Sequence, residues 1–405
     1  MSVLMANWWY PVAPRCIPGS HRARRTTTRA ARMTCVPSLS TVLRSWGRIG
    51  CLGFGGPPAH IRLLRELCVD REQWIDADEF EDAIATCNLL PGPSSTQLAI
   101  FTAWRVRGAA GAVVGGLAFI VPGLVAILAL AAVFLGGPPD WVLGAGAGAG
   151  AAVAAVAVHA GWGLTPASWA RRGSPGRWTA YLAAGVVAAA LLGPWVVVVL
   201  LGCGLLELLL RHPPRDVSAI VPFAAGAGGA AGAGVLLSLA WTSFKVGALS
   251  YGGGFVIVPL MQGDAVSRHH WMTDSQFLSA VALGQVTPGP VVHTVSAVGY
   301  AAAGVPGALL AAAVAFAPSF AFVLIGGPRF DRLRGNANAR AFLGGAGPAA
   351  IGAILGSAVP LALALVHAWQ AAILAAAAIA LLVVRRPIVE TLILAGVAGA
   401  LIAVL

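Results

Sequence analysis

Long stretches of this chain contain no Asp, Glu, Lys or Arg, among them residues 108–139, 141–170, 178–206, 341–384 and 391–405. A helix crosses a ~30 Å hydrocarbon core with about 20 apolar residues. Runs of this kind predict an all-α polytopic membrane protein. Only 10% of the residues are charged and 58% are apolar, whereas a soluble domain is about 25% charged. No globular interior could bury so much apolar chain, and a transmembrane barrel would show short alternating segments instead. The net charge of +11 is then topological information, not a nucleic-acid footprint. Residues 1–48 hold eight arginines and no acid. With no apolar run behind them they are not a secretory signal, and 1–37 read as a disordered, basic cytoplasmic tail. Six cysteines without a CxxC pair predict neither a disulfide framework nor a metal site, and no cofactor.

The chain repeats itself at an offset of 197. Gly50 meets Gly247, Gly55-Gly56 meet Gly252-Gly253, Arg71 meets Arg268, Trp74 meets Trp271, and Pro91-Gly92-Pro93 meet Pro288-Gly289-Pro290. After one residue is lost, Gly108, Gly111 and Pro122 match Gly304, Gly307 and Pro318. Alanine and glycine coincide often by composition; Trp and a PGP triplet do not. The expected organisation is a first repeat over 38–216, a linker or extra span at 217–235, and a second repeat over 236–405, each with about six helices. In each half a first apolar segment ends at a double glycine, a second helix is interrupted at PGP, and a third follows.

Arginines follow the second, fourth and sixth elements of the first half and the first, third and fifth of the second. By the positive-inside rule the halves are inverted, with the amino terminus cytoplasmic. Opposite orientation needs an odd number of crossings per repeat step, which makes 217–235 a span and the total about 13.

Broken helices at matching places in two halves are the sequence mark of a transport site. Unpaired backbone is tolerated at membrane depth only against protein or water, and the free N–H groups where a half-helix begins favour an anion. Candidate substrate contacts are therefore the break residues Phe54, Gly55, Gly56, Pro91, Gly92, Pro93, Tyr251, Gly252, Gly253, Pro288, Gly289 and Pro290, with Gln97 and Thr294 just after each PGP. Arg48 and Lys245 occupy equivalent positions, and Lys245 is the only lysine in the chain. No acid lies within two helical turns of either in sequence, so the pair is expected to hold an anion; the alternative is two side chains snorkelling to the interface. Asn88 and Gln285 could donate to substrate or join helices, and His60 and His293 could carry protons or make polar helix contacts. Trp74 and Trp271 read as interfacial belt residues, Glu207 and Glu390 as snorkelling acids.

"LGFGGPPAHI" (52–61), "REQWIDADEF" (71–80), "LLPGPSSTQLAI" (89–100) and "SYGGGFVIVPLM" (250–261) with "QVTPGPV" (285–291) resemble the chromate ion transporter family in its long, two-domain form. The likeness covers about 40–405. It implies a cytoplasmic-membrane carrier of chromate, usually an efflux system, with two halves of opposite orientation. Asn88 departs from the family, whose first half usually has Gln there. The residues alone do not choose among chromate, sulfate, molybdate and other tetrahedral anions, which differ little in shape and charge. A homodimer stays open. The spans lack the clustered His, Asp and Glu that a membrane-embedded enzyme would need.

Overall fold

The computed structural model describes residues 37–87, 92–170, 172–192, 195–211, 234–250, 257–327 and 336–405. Asn88, Pro91, Tyr251, Gly252, Gly253, the tail 1–36 and nearly all of 217–235 lie outside them. Every regular element among the described residues is helical. In the first half these are α1 (Leu39–Leu52), α2 (Pro57–Arg65), α3 (Ala77–Cys87), α4 (Ser94–Leu135), α5 (Asp140–Ala151), α6 (Val153–Ala170), α7 (Pro175–Val187) and α8 (Val196–Arg211). The second half holds α9 (Val235–Leu249), α10 (Ile257–Gln262), α11 (Asp274–Val286), α12 (Thr294–Gly326), α13 (Ala337–Leu363), α14 (Ala368–Ala378) and α15 (Ile388–Val404). Both α2 and α10 run on into a π-helical turn, Glu66–Arg71 and Gly263–Arg268.

The longest helix, α4, is a hairpin of two arms. Arg107 (φ −142°, ψ 21°) and Gly108 (φ 64°, ψ −156°) leave helical geometry, and a side chain on Gly115 would strike Ala103. In a continuous helix residues that far apart in sequence stand ~18 Å apart. The turn recurs in α12 at Ala303 (φ −153°, ψ 31°) and Gly304 (φ 61°, ψ −153°), where Gly299 meets Ala311. Glycine takes the positive φ without the Cβ clash that other residues suffer. The matching of Gly108 to Gly304 in sequence is thus a matching of backbone geometry.

The shorter helices also double back. Glu79 at the start of α3 pairs with Arg105 near the end of the first arm of α4. Gly284 of α11 abuts Thr294 of α12. The Trp46 ring of α1 stacks on Trp74 at 6.1 Å and 7°, and Lys245 of α9 pairs with Asp264 beyond α10. The expectation of about 13 spans counted the first element and the PGP helix of each half as crossings. They fold back as hairpins instead, the far arm returning beside the near one. The reason is length: the glycine and proline breaks leave pieces such as the nine residues of α2 with the six of its π-helical turn, about 22 Å at 1.5 Å per residue, short of a ~30 Å hydrocarbon core. Among the described residues the helices long and apolar enough to cross a membrane are α4, α5–α6, α12 with the turn that leads into it, and α13; α9, α14 with its π-helical turn, and α15 are apolar but shorter. The tryptophan expectation changes too, since Trp74 is packed on Trp46 and against the core.

The halves interlock. Helix α5 packs on α15, and α13 packs on α7 and α8. Glycines allow the close approach: a Cβ on Gly144 would meet Ala403 and Gly399, one on Gly352 would meet Leu182, and one on Gly345 would meet Cys203. Small residues at helix contacts are the usual solution where lipid gives no hydrophobic drive between helices, and they account for the GAGAGAG run at 144–150. The second arm of α12 packs across the α4 hairpin, with Phe320 over Gly116 of its second arm and Gly327 against Trp104 of its first.

Glu207 is no snorkelling acid. It is 2% exposed, accepts from Tyr181 Oη (3.0 Å) and Arg211 Nε (2.6 Å), and lies 3.2 Å from Arg177 Nε. These three partners compensate the buried carboxylate and fix α7 to α8 beside the start of α13. Glu390 pairs with Arg386 at the surface.

These hairpins set a labelling pattern. Single cysteines at Glu72 and Arg340, introduced into a chain whose own cysteines are replaced, should react with an impermeant maleimide from one side of the membrane. Cysteines at His270 and Asp140 should react from the other. Labelling of Glu72→Cys and Arg340→Cys from opposite sides would contradict the re-entrant arrangement.

Candidate functional site: the meeting of two hairpin tips

The first tip is built by glycine. Gly53 closes α1 through its N–H to the Ile49 carbonyl (2.8 Å). Gly55 (φ 94°) and Gly56 (φ 75°) then turn the chain, and Pro57-Pro58 open α2, where a missing N–H removes no bond. The Gly53 carbonyl is left facing inward. It accepts from two donors: His60 Nε2 at 2.9 Å and the Gly289 N–H at 3.0 Å. Gly289 (φ 90°) is the centre of the second half's Pro288-Gly289-Pro290 tip. The broken element of one half therefore supplies the hydrogen bond that the broken element of the other half lacks. On the reciprocal side Gly92 (φ 116°) approaches the Gly247 carbonyl at the end of α9, 3.4 Å from where its Cβ would be.

Two histidines flank this junction. His60 is fully buried and stands edge-on to Phe119, with ring centroids 5.0 Å apart. His293 is also fully buried, edge-on to Phe316 at 5.1 Å. It faces the Ile120 backbone and lies close enough to His60 for their charges to interact. The residues following each PGP are polar and buried: Ser94, Ser95, Thr96 and Gln97 on α4, Thr294 and Ser296 on α12. Gln285, on the approach to the second tip, is 7% exposed. Thr96 Oγ1, Ser296 Oγ, Ser319 Oγ, Ser250 Oγ, Gln285 Nε2 and His60 Nδ1 are buried without a hydrogen-bond partner. Each such group costs about 1–3 kcal/mol. Hydroxyl and amide donors held in this state suit a ligand rich in acceptor oxygens.

The predicted residues divide on inspection. His60, Gly92, Pro93, Gln97, Gln285, Pro288, Gly289, Pro290, His293 and Thr294 belong to the tips or their flanking turns. The Thr294 hydroxyl is used locally, on the Val291 carbonyl (2.9 Å). Phe54 is 44% exposed at the outside of its tip. Arg48 is partly buried on α1.

Lys245 is not the uncompensated charge that the local sequence suggests. Its ammonium pairs with Asp264, whose Oδ2 also accepts from Thr242 Oγ1 at 2.9 Å. Asp264 escaped the sequence reading because the acid lies beyond a helix break, and because its counterpart at the 197-residue offset is Leu67. A second missed contact is Trp46 Nε1, which donates to the Ala99 carbonyl at 2.7 Å and ties α1 into the α4 hairpin.

A cavity of about 290 Å³ lies away from the tips, lined by Phe134, Leu143, Ser279, Leu283 and Trp369 among others. It is mostly apolar and contains none of the predicted site residues.

Interlocked apolar helices, paired broken tips and buried polar donors define a helical membrane protein. A family model described as chromate transporter matches residues 40–208 and again 237–402. The chain is 34% identical to a chromate transport protein of Cupriavidus metallidurans, over 92% of this chain and 95% of that one. It is 31% identical to a chromate transport protein of Pseudomonas aeruginosa, over 78% and 79%. It is 30% identical to a probable chromate transport protein of Synechococcus elongatus, over 80% and 84%. The chain belongs to the chromate transporter family. No solved structure matches it.

Gly289→Ala tests the junction. At φ 90° an alanine is strained by about 1–2 kcal/mol, and its methyl would lie 3.6 Å from His293 Nε2. The detergent-solubilised variant should melt several degrees lower than the parent; an unchanged melting temperature would remove the junction from the account.

Proposed function

We propose that the protein is a secondary active carrier moving chromate outward across the cytoplasmic membrane, and so confers chromate resistance. The observation that supports this most directly is the Gly53–Gly289 junction with its surrounding unpartnered donors. It places broken backbone from two directions around one buried locus. In this reading the halves, 38–216 and 236–405, are inverted repeats, and residues 217–235 cross once more to connect them. The arginines agree: Arg177, Arg211 and Arg340 cluster where α7, α8 and α13 meet, at the cytoplasmic end.

The oxyanion is held between the repeats by donors of the tip-flanking segments, including Gln97, Gln285, Thr96 and Ser296, with Arg48 and Lys245 as the cations. Asn88, Pro91, Tyr251, Gly252 and Gly253 complete the set by their place in the repeat. Because Lys245 already has a carboxylate, the anion competes with Asp264 for it. A rigid, hydrogen-bonding site of this kind binds tetrahedral dianions by acceptor geometry, so sulfate or another such oxyanion is the alternative physiological substrate. The chemistry is transport without bond cleavage.

Proteoliposomes loaded with labelled chromate decide between these. Efflux should be saturable, inhibited by excess chromate, and inhibited less by sulfate. Stronger competition by sulfate would make sulfate the substrate, and the absence of carrier-dependent flux for every oxyanion would overturn the transport reading. Lys245→Gln should lower flux at least tenfold with membrane expression intact; full activity would leave Lys245 as a structural anchor.

A further inference from the structure

Asp264 is chemically conspicuous for a residue in this fold. Its side chain is 1% exposed. It sits in the π-helical turn after α10, four residues before the exposed Arg268. Oδ2 takes both the Lys245 ammonium and the Thr242 hydroxyl, while Oδ1 is buried with no hydrogen-bond partner. A buried carboxylate with one oxygen unmatched is an ion held chiefly by its single cation. The first half does not repeat it: Arg48 stands where Lys245 does, but Leu67 stands where Asp264 does. The Lys245 side chain is 15% exposed, so water reaches the pair from one side.

We infer that Asp264 is a proton site of the carrier, taking up one proton when the oxyanion takes Lys245 from it. The inference rests on the proposed oxyanion transport and adds its coupling. The exchange balances. When the anion occupies Lys245, which stays an ammonium ion, Asp264 is left as a buried carboxylate without its cation. Such a group is neutralised rather than kept charged in a low-dielectric site, so a proton from water adds to Asp264. On release of the anion the ion pair re-forms and the proton leaves. Proton and anion are thus bound together and move together. For a dianion with one proton the moving charge is −1, which an interior-negative potential drives outward.

The other charged and titratable groups around the pair are on the same loop or the next helix. His269 lies close enough to act electrostatically with both Asp264 and Lys245, and with its neighbours Arg268 and His270, and Asp274 on α11 accepts from Gln262 at 3.0 Å. His269 stacks on Trp271, ring centroids 4.6 Å apart. His269 reaches Asp264 through its backbone N–H, on the backbone carbonyl at 2.9 Å, which leaves the carboxylate itself as the proton site.

The test is simultaneous measurement of labelled chromate flux and of internal pH, by a trapped fluorescent indicator, in proteoliposomes of the full chain. The parent protein should move about one proton with each chromate. Asp264→Asn should reduce the proton-to-chromate ratio to zero, and Asp264→Glu should keep it near one. Chromate flux in the parent with no accompanying proton movement overturns the inference and leaves the transport reading standing. A ratio unchanged in Asp264→Asn also overturns it. If the asparagine variant does not fold, the parent and Asp264→Glu ratios decide. No flux of any oxyanion in the parent overturns the transport reading and this inference with it.

Discussion

A backbone carbonyl cannot be left unpaired deep in a membrane protein, and in this chain the constraint falls on Gly53. Its two donors come from different places: His60 from its own hairpin and the Gly289 amide from the other half of the chain. A backbone group abandoned in hydrocarbon costs several kcal/mol; His60 answers the Gly53 carbonyl from within its own hairpin, and the junction gives the Gly289 N–H its acceptor. The remaining architecture keeps these tips in register. Trp46 holds α1 in the α4 hairpin, α4 packs on α12, and the glycine-lined contacts of α5 with α15 and of α13 with α7 and α8 lock one half across the other.

That arrangement also explains the placement of polarity. A bundle built on alanine and glycine contacts offers few polar groups, yet serine, threonine and glutamine collect immediately after the PGP breaks. There α4 begins, and so does the Val291–His293 turn that runs on into α12; the first N–H groups of such a start have no helical partner. Hydroxyls beside free amides at two opposed helix starts form an anion-friendly locus without requiring a full charge. The charges are set further out, on α1 and α9. One of them, Lys245, is held in check by Asp264. A carrier needs a site that releases what it binds, and a cation with a competing carboxylate satisfies that better than a bare one.

Much of this was legible in the sequence, and the exceptions are instructive. The 197-residue offset and its one-residue slip anticipated the paired turns at Gly108 and Gly304, because glycine is nearly compulsory at that φ. The breaks at Gly55-Gly56 and at PGP were equally plain. Their consequence was not: breaking a helix and folding it back leave the same local signature, and only the contacts Glu79–Arg105 and Lys245–Asp264 distinguish them. The acid beside Lys245 was missed for a related reason, since proximity along the chain says nothing across a hairpin. Glu207 looked like an isolated acid near a helix end because two of its partners, Tyr181 and Arg177, come from the preceding helix.

The claim on which everything else turns is that tips from the two halves meet inside the bilayer. An electron cryomicroscopy map of the protein in a lipid nanodisc would test it most directly. The account predicts density for residues 53–56 and 288–290 in contact near the midplane, each at the apex of a hairpin that returns to its side of entry. Unbroken helices crossing the bilayer through either segment, or tips separated by intervening helices, would contradict it.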